Sequence, residues 1–184
     1  MRKHARSLVR VLGEQLGAEN IKFGVEVGVW QGELSADLLR MFLNLHLTMV
    51  DLWKPFADST MHAKDNNDKA MEQALVTAKQ NTSFASDRRL ITRRSSIAEA
   101  RHWSDEKFDF GFIDADHKSV PEDLPAWWKK IRSGGIVAGH DYDGIGDRRK
   151  GWGVKKAVDD FFARIGLKVH VEPGLVWWVK KSSS

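Results

Sequence analysis

Lys168-Val-His-Val-Glu172, Pro173-Gly174 and Leu175-Val-Trp-Trp-Val-Lys180 close the chain with two β-rich runs joined by a turn so short that it joins neighbouring strands antiparallel. The preceding sequence has a different rhythm. Candidate strands at residues 23–28, 47–52, 89–94, 108–114 and 135–140 alternate with helical patterns at 33–43, 69–80, 96–103, 120–131 and 154–165. Alternation of this kind makes parallel strands with crossover helices, so the terminal hairpin sets a reversed pair beside a parallel α/β sheet. Ser133-Gly134-Gly135 is expected to end the helix before the fifth strand with an abrupt turn. In a strand, adjacent Trp177 and Trp178 must face opposite sides.

A chain of 184 residues corresponds to about one domain. With 42% hydrophobic and 29% charged residues it is globular rather than disordered, and it can bury one core without staples. The lack of cysteine excludes disulfides, thiolate metal sites and a cysteine nucleophile. Lys and Arg number 29 against 25 Asp and Glu; the net charge of +4 permits an anionic substrate but is too slight to announce nucleic acid. Met1-Arg-Lys-His-Ala-Arg leads into Leu8, Val9, Val11 and Leu12, interrupted by Arg10 and Glu14, which reads as an amphipathic helix within residues 1–20 and not as a signal-peptide core. No apolar run approaches the roughly 18 residues of a membrane span, so no membrane is expected and the expected location is the cytoplasm.

Open α/β sheets bind ligands at the carboxyl ends of their strands, and the chemistry-bearing residues fall there. Gly24-Val-Glu26-Val-Gly28-Val-Trp-Gln-Gly32 puts glycines where a strand turns into a helix and a ligand approaches the backbone. Trp30 replaces a glycine of the dinucleotide fingerprint, which disfavours close passage of a pyrophosphate, while Glu26 suits a cationic group. Asp51 ends the second strand at the spacing of a ribose-binding carboxylate. Ser95 and Ser96, after the third, are within reach of an adenine edge. Asp114-Ala-Asp116-His117 ends the fourth strand and His140-Asp141-Tyr142-Asp143 the fifth. If these strands are neighbours, Asp114 and Asp141 converge as hard oxygen ligands for magnesium, calcium or manganese. His117 then has the chemistry of a general base near neutral pH, and His140 is open between ligating, holding substrate and plain hydrogen bonding. Asp116 and Asp143 read as helix caps.

Glu26-Val-Gly28-Val-Trp-Gln-Gly32, Phe112-Ile-Asp114-Ala-Asp-His117, Ala126-Trp-Trp128, Gly134-Gly135 and Gly139-His-Asp141-Tyr142 together resemble the class I S-adenosylmethionine-dependent methyltransferases. The likeness, from Gly24 to Lys180, is to the small bacterial O-methyltransferases grouped with macrolide-sugar O-methyltransferases. It implies a Rossmann-like α/β sandwich with a seven-stranded, mostly parallel sheet in the order 3-2-1-4-5-7-6 and an antiparallel seventh strand. It further implies that Glu26, Gly28 and Gly32 line the methionine part of S-adenosylmethionine, Asp51 the ribose, and Ser95 or Ser96 the adenine. Asp114 and Asp141 then match carboxylates that hold Mg2+, with His140 a further candidate ligand, and His117 matches the base of the sugar-methylating relatives. Catechol-type relatives carry asparagine where this chain has Tyr142, so the resemblance implies no third ligand there. Trp30 and Trp53 are expected to wall the cofactor pocket.

On this reading residues 1–184 form one methyltransferase domain, with residues 54–68 a candidate substrate loop. The reaction is in-line methyl transfer to a small hydroxylated molecule. Gly144 to Gly153 is open between a substrate lid and a surface loop, and assembly into a homo-oligomer is also open. Two alternatives compete. A non-catalytic nucleotide- or nucleic-acid-binding module would use Arg88, Arg89, Arg93, Arg94 and Arg148-Arg-Lys150 as a basic stripe, with Trp152 for stacking. An NAD-dependent oxidoreductase is disfavoured by Trp30 and by the terminal hairpin.

Overall fold

The computed structural model describes residues 1–55 and 64–182, so residues 56–63 of the expected substrate loop lie outside the described residues. Helix α1 (Lys3–Leu16) precedes β1 (Phe23–Val27), α2 (Glu33–Met41), β2 (His46–Asp51), α3 (Asp68–Asn81), β3 (Arg89–Arg93) and α4 (Ser96–Ala100). The second half contains β4 (Phe108–Ile113), α5 (Val120–Trp128), β5 (Ile131–Gly139), α6 (Gly144–Lys150), α7 (Val154–Arg164), β6 (His170–Glu172) and β7 (Val176–Lys180). The strands form one sheet in the order β3-β2-β1-β4-β5-β7-β6. β1 to β5 pair in parallel, and β7 runs antiparallel to both β5 and β6. Fold class and strand order are those that the resemblance implies.

Sequence pattern explains each layer. Phe108-Asp-Phe-Gly-Phe-Ile113 is buried throughout, as a central parallel strand covered on both faces must be. β3, at the sheet edge, is only partly buried and begins and ends on arginine, a residue that discourages further strand pairing. On one face, the apolar stripe Ala5, Leu8, Val11 and Leu12 of α1 packs with α2, α3 and Trp178; on the other, α5 and α7 pack with Trp177. The two adjacent tryptophans thus serve opposite cores, as strand alternation requires.

One expected boundary is corrected. α5 stops at Trp128, and Ser133-Gly134-Gly135 lies inside β5, not at a helix end. Phe108 pairs with Ile131 and Phe110 with Ile136, so the extra residues of β5 form a bulge. Gly134 has φ +72°, and a Cβ on Gly135 would fall 2.6 Å from the Asp109 carbonyl oxygen. The glycines answer to the bulge, and Ile131 finds a strand partner before the helical pattern has run out.

Trp177 is fully buried against Phe162, with ring centroids 6.1 Å apart. Trp177→Ala is expected to cost about 3–5 kcal/mol, read as a lower urea midpoint at unchanged m-value.

Candidate active site

The loop after β1 is held by a single carboxylate. Asp51 Oδ2 accepts the backbone N–H groups of Val29 and Trp30, each at 2.9 Å, and Oδ1 accepts that of Trp53 at 2.8 Å. Gly28 has φ +92°, and Trp30 and Trp53 sit at φ +52° and +42°, a conformation side chains rarely adopt. Strain of this kind persists only where the surroundings over-determine it and is concentrated at functional sites. A Cβ on Gly28 would lie 2.1 Å from the Asp114 carbonyl oxygen, so only glycine lets the β1 and β4 ends approach. Glu26 is buried and accepts a hydrogen bond from Ser35 Oγ. Burial pushes its carboxyl up to about 8, against that hydrogen bond and with the charges of Asp114 and Asp51 adding to the rise.

A cavity of about 720 Å³ runs along the carboxyl edge of the sheet. Its walls include Glu26, Gly28, Trp30 and Asp51 from β1 and β2, Ser95 and Ser96 after β3, and Asp114, His140 and Asp141 from β4 and β5. Three predicted residues do not line it. Trp53 is buried behind the wall, where its Nε1 donates to the Trp30 carbonyl oxygen at 2.9 Å, and Leu52 takes the cavity position. Gly32, at φ +71°, caps α2 and packs on Ala78 of α3. His117 donates from Nε2 to Asp141 Oδ2 at 2.8 Å, its ring centroid lies 4.7 Å from that of Trp152, and it stands outside the lining, beside Asp116 and Asp141, which belong to it.

Asp114, His140 and Asp141 form a cluster in which one ligand atom from each lies within 4.8 Å of the others. His140 Nδ1 is 3.2 Å from Asp141 Oδ1 and 3.7 Å from Asp114 Oδ1. Burial, with the Asp141 charge adding to it, pushes Asp114 up to about 7 in spite of the nearby histidines. Burial also works against ionised Asp141, but hydrogen bonds from His117 and His140 outweigh it and hold that carboxyl well below the usual range. For His140 burial opposes the charge, and Asp141 and Asp114 prevail to raise its pKa. Asp141 adopts φ +56°, which turns its carboxylate toward both histidines.

Asp123 and His4 are among the cavity residues that escaped the sequence reading. Asp123, on the buried face of α5, accepts from Ser96 Oγ and, at 2.6 Å, from Ser119 Oγ; burial raises its pKa despite both bonds. His4 of α1 lines the cavity with its ring centroid 4.9 Å from that of His140. Burial and His140 lower its pKa. Signals existed for both. Asp123 shares a helix face with Val120 and Trp127, and His4 extends the stripe of Leu8 and Val11 at helical spacing.

Four arginines of the expected basic stripe have partners within the chain. Arg88 donates to the carbonyls of Leu39, Phe42 and Leu45, Arg89 to that of Lys79, Arg93 pairs with Glu72, and Arg94 lies 3.8 Å from Glu99. Asp116 and Asp143 are the expected caps, accepting N–H groups of Lys118 and of Ile145 and Gly146. The candidate lid segment includes α6, begun by that Asp143 cap. Among the described residues no helix is long and apolar enough to cross a membrane.

A parallel sheet with a reversed seventh strand, its cavity at the carboxyl edge beside a glycine turn, defines the class I S-adenosylmethionine-dependent methyltransferases. The family model described as "Methyltransferase domain" matches residues 25–142, well over half of the chain, and the chain belongs to that family. Similar folds occur in a cofactor-bound protein of MTB, at 14% identity and TM-score 0.70 over 96% of this chain and 80% of that one. A Corynebacterium glutamicum protein is 14% identical, with TM-score 0.69 and coverages of 96% and 81%. The O-methyltransferase from Bacillus cereus in complex with SAH is 17% identical, with TM-score 0.62 and coverages of 95% and 79%. At these identities the likeness establishes the fold alone. No curated protein matches the chain.

Glu26 supplies a test of the buried site without cofactor. Its folded pKa, about 8, lies above the ordinary glutamate value of 4.5, so the protonated form favours folding at low pH and this contribution is lost as pH rises from 4.5 through 8. Glu26→Gln is expected to flatten the fall of Tm across that window, measured by thermal melts of wild type and variant in matched buffers.

Proposed function

We propose that residues 1–184 act as one methyltransferase domain that transfers the methyl group of S-adenosylmethionine to a hydroxyl of a small acceptor. The observation that carries this reading is the continuity of one cavity from Glu26, Asp51 and Ser96 to the Asp114, His140 and Asp141 cluster. Its size lies within the roughly 300–1,000 Å³ of small-molecule sites. Glu26 meets the cofactor's ammonium group, which draws the buried carboxyl into its ionised form. Asp51 keeps one acceptor site, on Oδ1, for a ribose hydroxyl while holding the loop, and Ser95 and Ser96 face the adenine, with Gly28 admitting the cofactor close to the backbone.

The donor's sulfonium is already activated, so the protein has to align the acceptor oxygen behind the methyl group and take up one proton. The acceptor hydroxyl sits at the Asp114 and Asp141 end of the cavity. Its proton is taken up at Nδ1 of His117, the ring nitrogen opposite the Nε2–H that Asp141 holds, leaving an imidazolium stabilised by that carboxylate. His117, one-fifth exposed, then returns the proton to solvent. Two carboxylates and an imidazole suit a hard divalent cation, and such an ion would offset the burial, and the lesser Asp141 repulsion, that raise the Asp114 pKa. Asp114, His140 and Asp141 would hold Mg2+ or Mn2+, which when bound lowers the pKa of a hydroxyl.

His117→Ala is expected to lower kcat by roughly 10²–10⁴ while S-adenosylhomocysteine affinity stays within about twofold; an unchanged kcat removes His117 from the reaction. The assay follows S-adenosylhomocysteine formation with catechols, phenols, sugars and small hydroxy acids. Glu26→Gln is expected to weaken cofactor binding by about 1.5–3 kcal/mol, roughly 10- to 100-fold, by calorimetry. Asp141→Asn should abolish Mn2+ binding followed by electron paramagnetic resonance. Wild type that binds no Mn2+ and retains full turnover after chelation would leave the two aspartates as hydrogen-bond acceptors only.

A further inference from the structure

We propose that His4, presented by the N-terminal helix, is a positioning residue that holds the acceptor molecule over the Asp114, His140 and Asp141 cluster. The inference rests on the methyltransferase reading above and assigns the acceptor's side of the cavity to α1.

Three observations converge on it. First, His4 lines the same cavity as the cluster, with its ring 4.9 Å from that of His140, at the β5 end and not at the β2 and β3 ends where Asp51 and Ser95 stand. Second, among the described residues none hydrogen-bonds either ring nitrogen of His4, whereas His117 and His140 are both bound to Asp141. A half-buried imidazole with both nitrogens unengaged, at the wall of a cavity, is equipped to bind a polar group that enters there. Third, the helix that carries it is fastened on both sides of the ring. Arg2 pairs with Glu33 at the start of α2, and Ser7 Oγ donates to the Pro173 carbonyl oxygen at 2.7 Å.

The fastening is close enough to set where the ring stands. Gly174, at φ +89°, abuts the backbone of His4, where a Cβ would come within 3.0 Å of the His4 nitrogen. The backbone of Gly174 also takes a hydrogen bond from His140. One turn therefore touches both imidazole-bearing segments and fixes their separation. An acceptor hydroxyl placed at the cluster has a second polar group of the same molecule within reach of His4, which favours polyhydroxylated acceptors over those with a single hydroxyl.

The test compares wild type, His4→Ala and His4→Asn with the acceptors named above that wild type methylates. The expected result for His4→Ala is an acceptor KM raised at least tenfold, with kcat within about threefold and S-adenosylhomocysteine affinity and Tm unchanged, and with part of the loss recovered by His4→Asn, which retains a side-chain donor and acceptor. An unchanged KM overturns the assignment. So does a KM that rises together with weakened S-adenosylhomocysteine binding, because His4 would then serve the cofactor or the fold. Absence of methyl transfer by wild type to every hydroxylated acceptor defeats the underlying O-methylation reading, whereas normal transfer by His4→Ala defeats only the role of His4.

Discussion

The antiparallel pairing of β7 with β5 is the constraint on which the site depends. Because β7 runs against β5, it begins where β5 ends, Gly139 lying opposite Trp177. The turn before β7 is thereby delivered to the carboxyl edge of the sheet, beside His140. A parallel strand in the same place would enter from the opposite edge and bring no turn there. From that position Leu175 accepts the N–H of Tyr142 at 3.1 Å, Gly174 receives His140, and Pro173 receives Ser7 of α1. Thirteen residues at the end of the chain thus tie the first helix to the fifth strand.

Around this frame the molecule gathers several buried or half-buried carboxylates, and each is accommodated differently. Asp51 is spent on three backbone N–H groups and fixes the loop it faces. Asp123 is surrounded by serine hydroxyls, and Asp141 by two imidazoles. Glu26 and Asp114 are the two least compensated, with pKa values pushed to about 8 and about 7. Uncompensated buried charge is costly in a folded protein and is retained chiefly where a ligand of opposite charge completes it. Both line the cavity, Glu26 from β1 and Asp114 from the end of β4.

Backbone conformation reinforces the same division. Of the non-glycine residues with positive φ, Trp30, Trp53 and Asp141 belong to the cavity rim or the layer directly behind it. Two of the three are held by hydrogen bonds to Asp51 or between themselves, since Trp53 Nε1 binds the Trp30 carbonyl oxygen. The surplus of tryptophan in this chain accordingly has several uses: Trp30 faces the cavity, Trp53 braces it, Trp177 and Trp178 fill opposite cores, and Trp152 covers His117.

Much of this was readable in the linear order of residues. Period-two and helical spacing located the strands and helices, the Pro173-Gly174 turn dictated a reversed pair, and acidic residues at successive strand ends marked the edge that carries the cavity, because these signals are local. The sequence also brought Asp114, His140 and Asp141 together as candidate metal ligands, since adjacent parallel strands present their ends side by side. Tertiary structure alone decided which side chains face the cavity. Gly32 and Trp53 lie beside cavity residues in sequence yet pack into the core, and His117 stands across Asp141 because the fourth-strand loop turns its ring onto Trp152. His4 is more than 100 residues from its neighbour His140, and its approach depends on a hairpin at the far end of the chain. No local pattern encodes contact across that separation; it exists only once the sheet has closed in its final strand order.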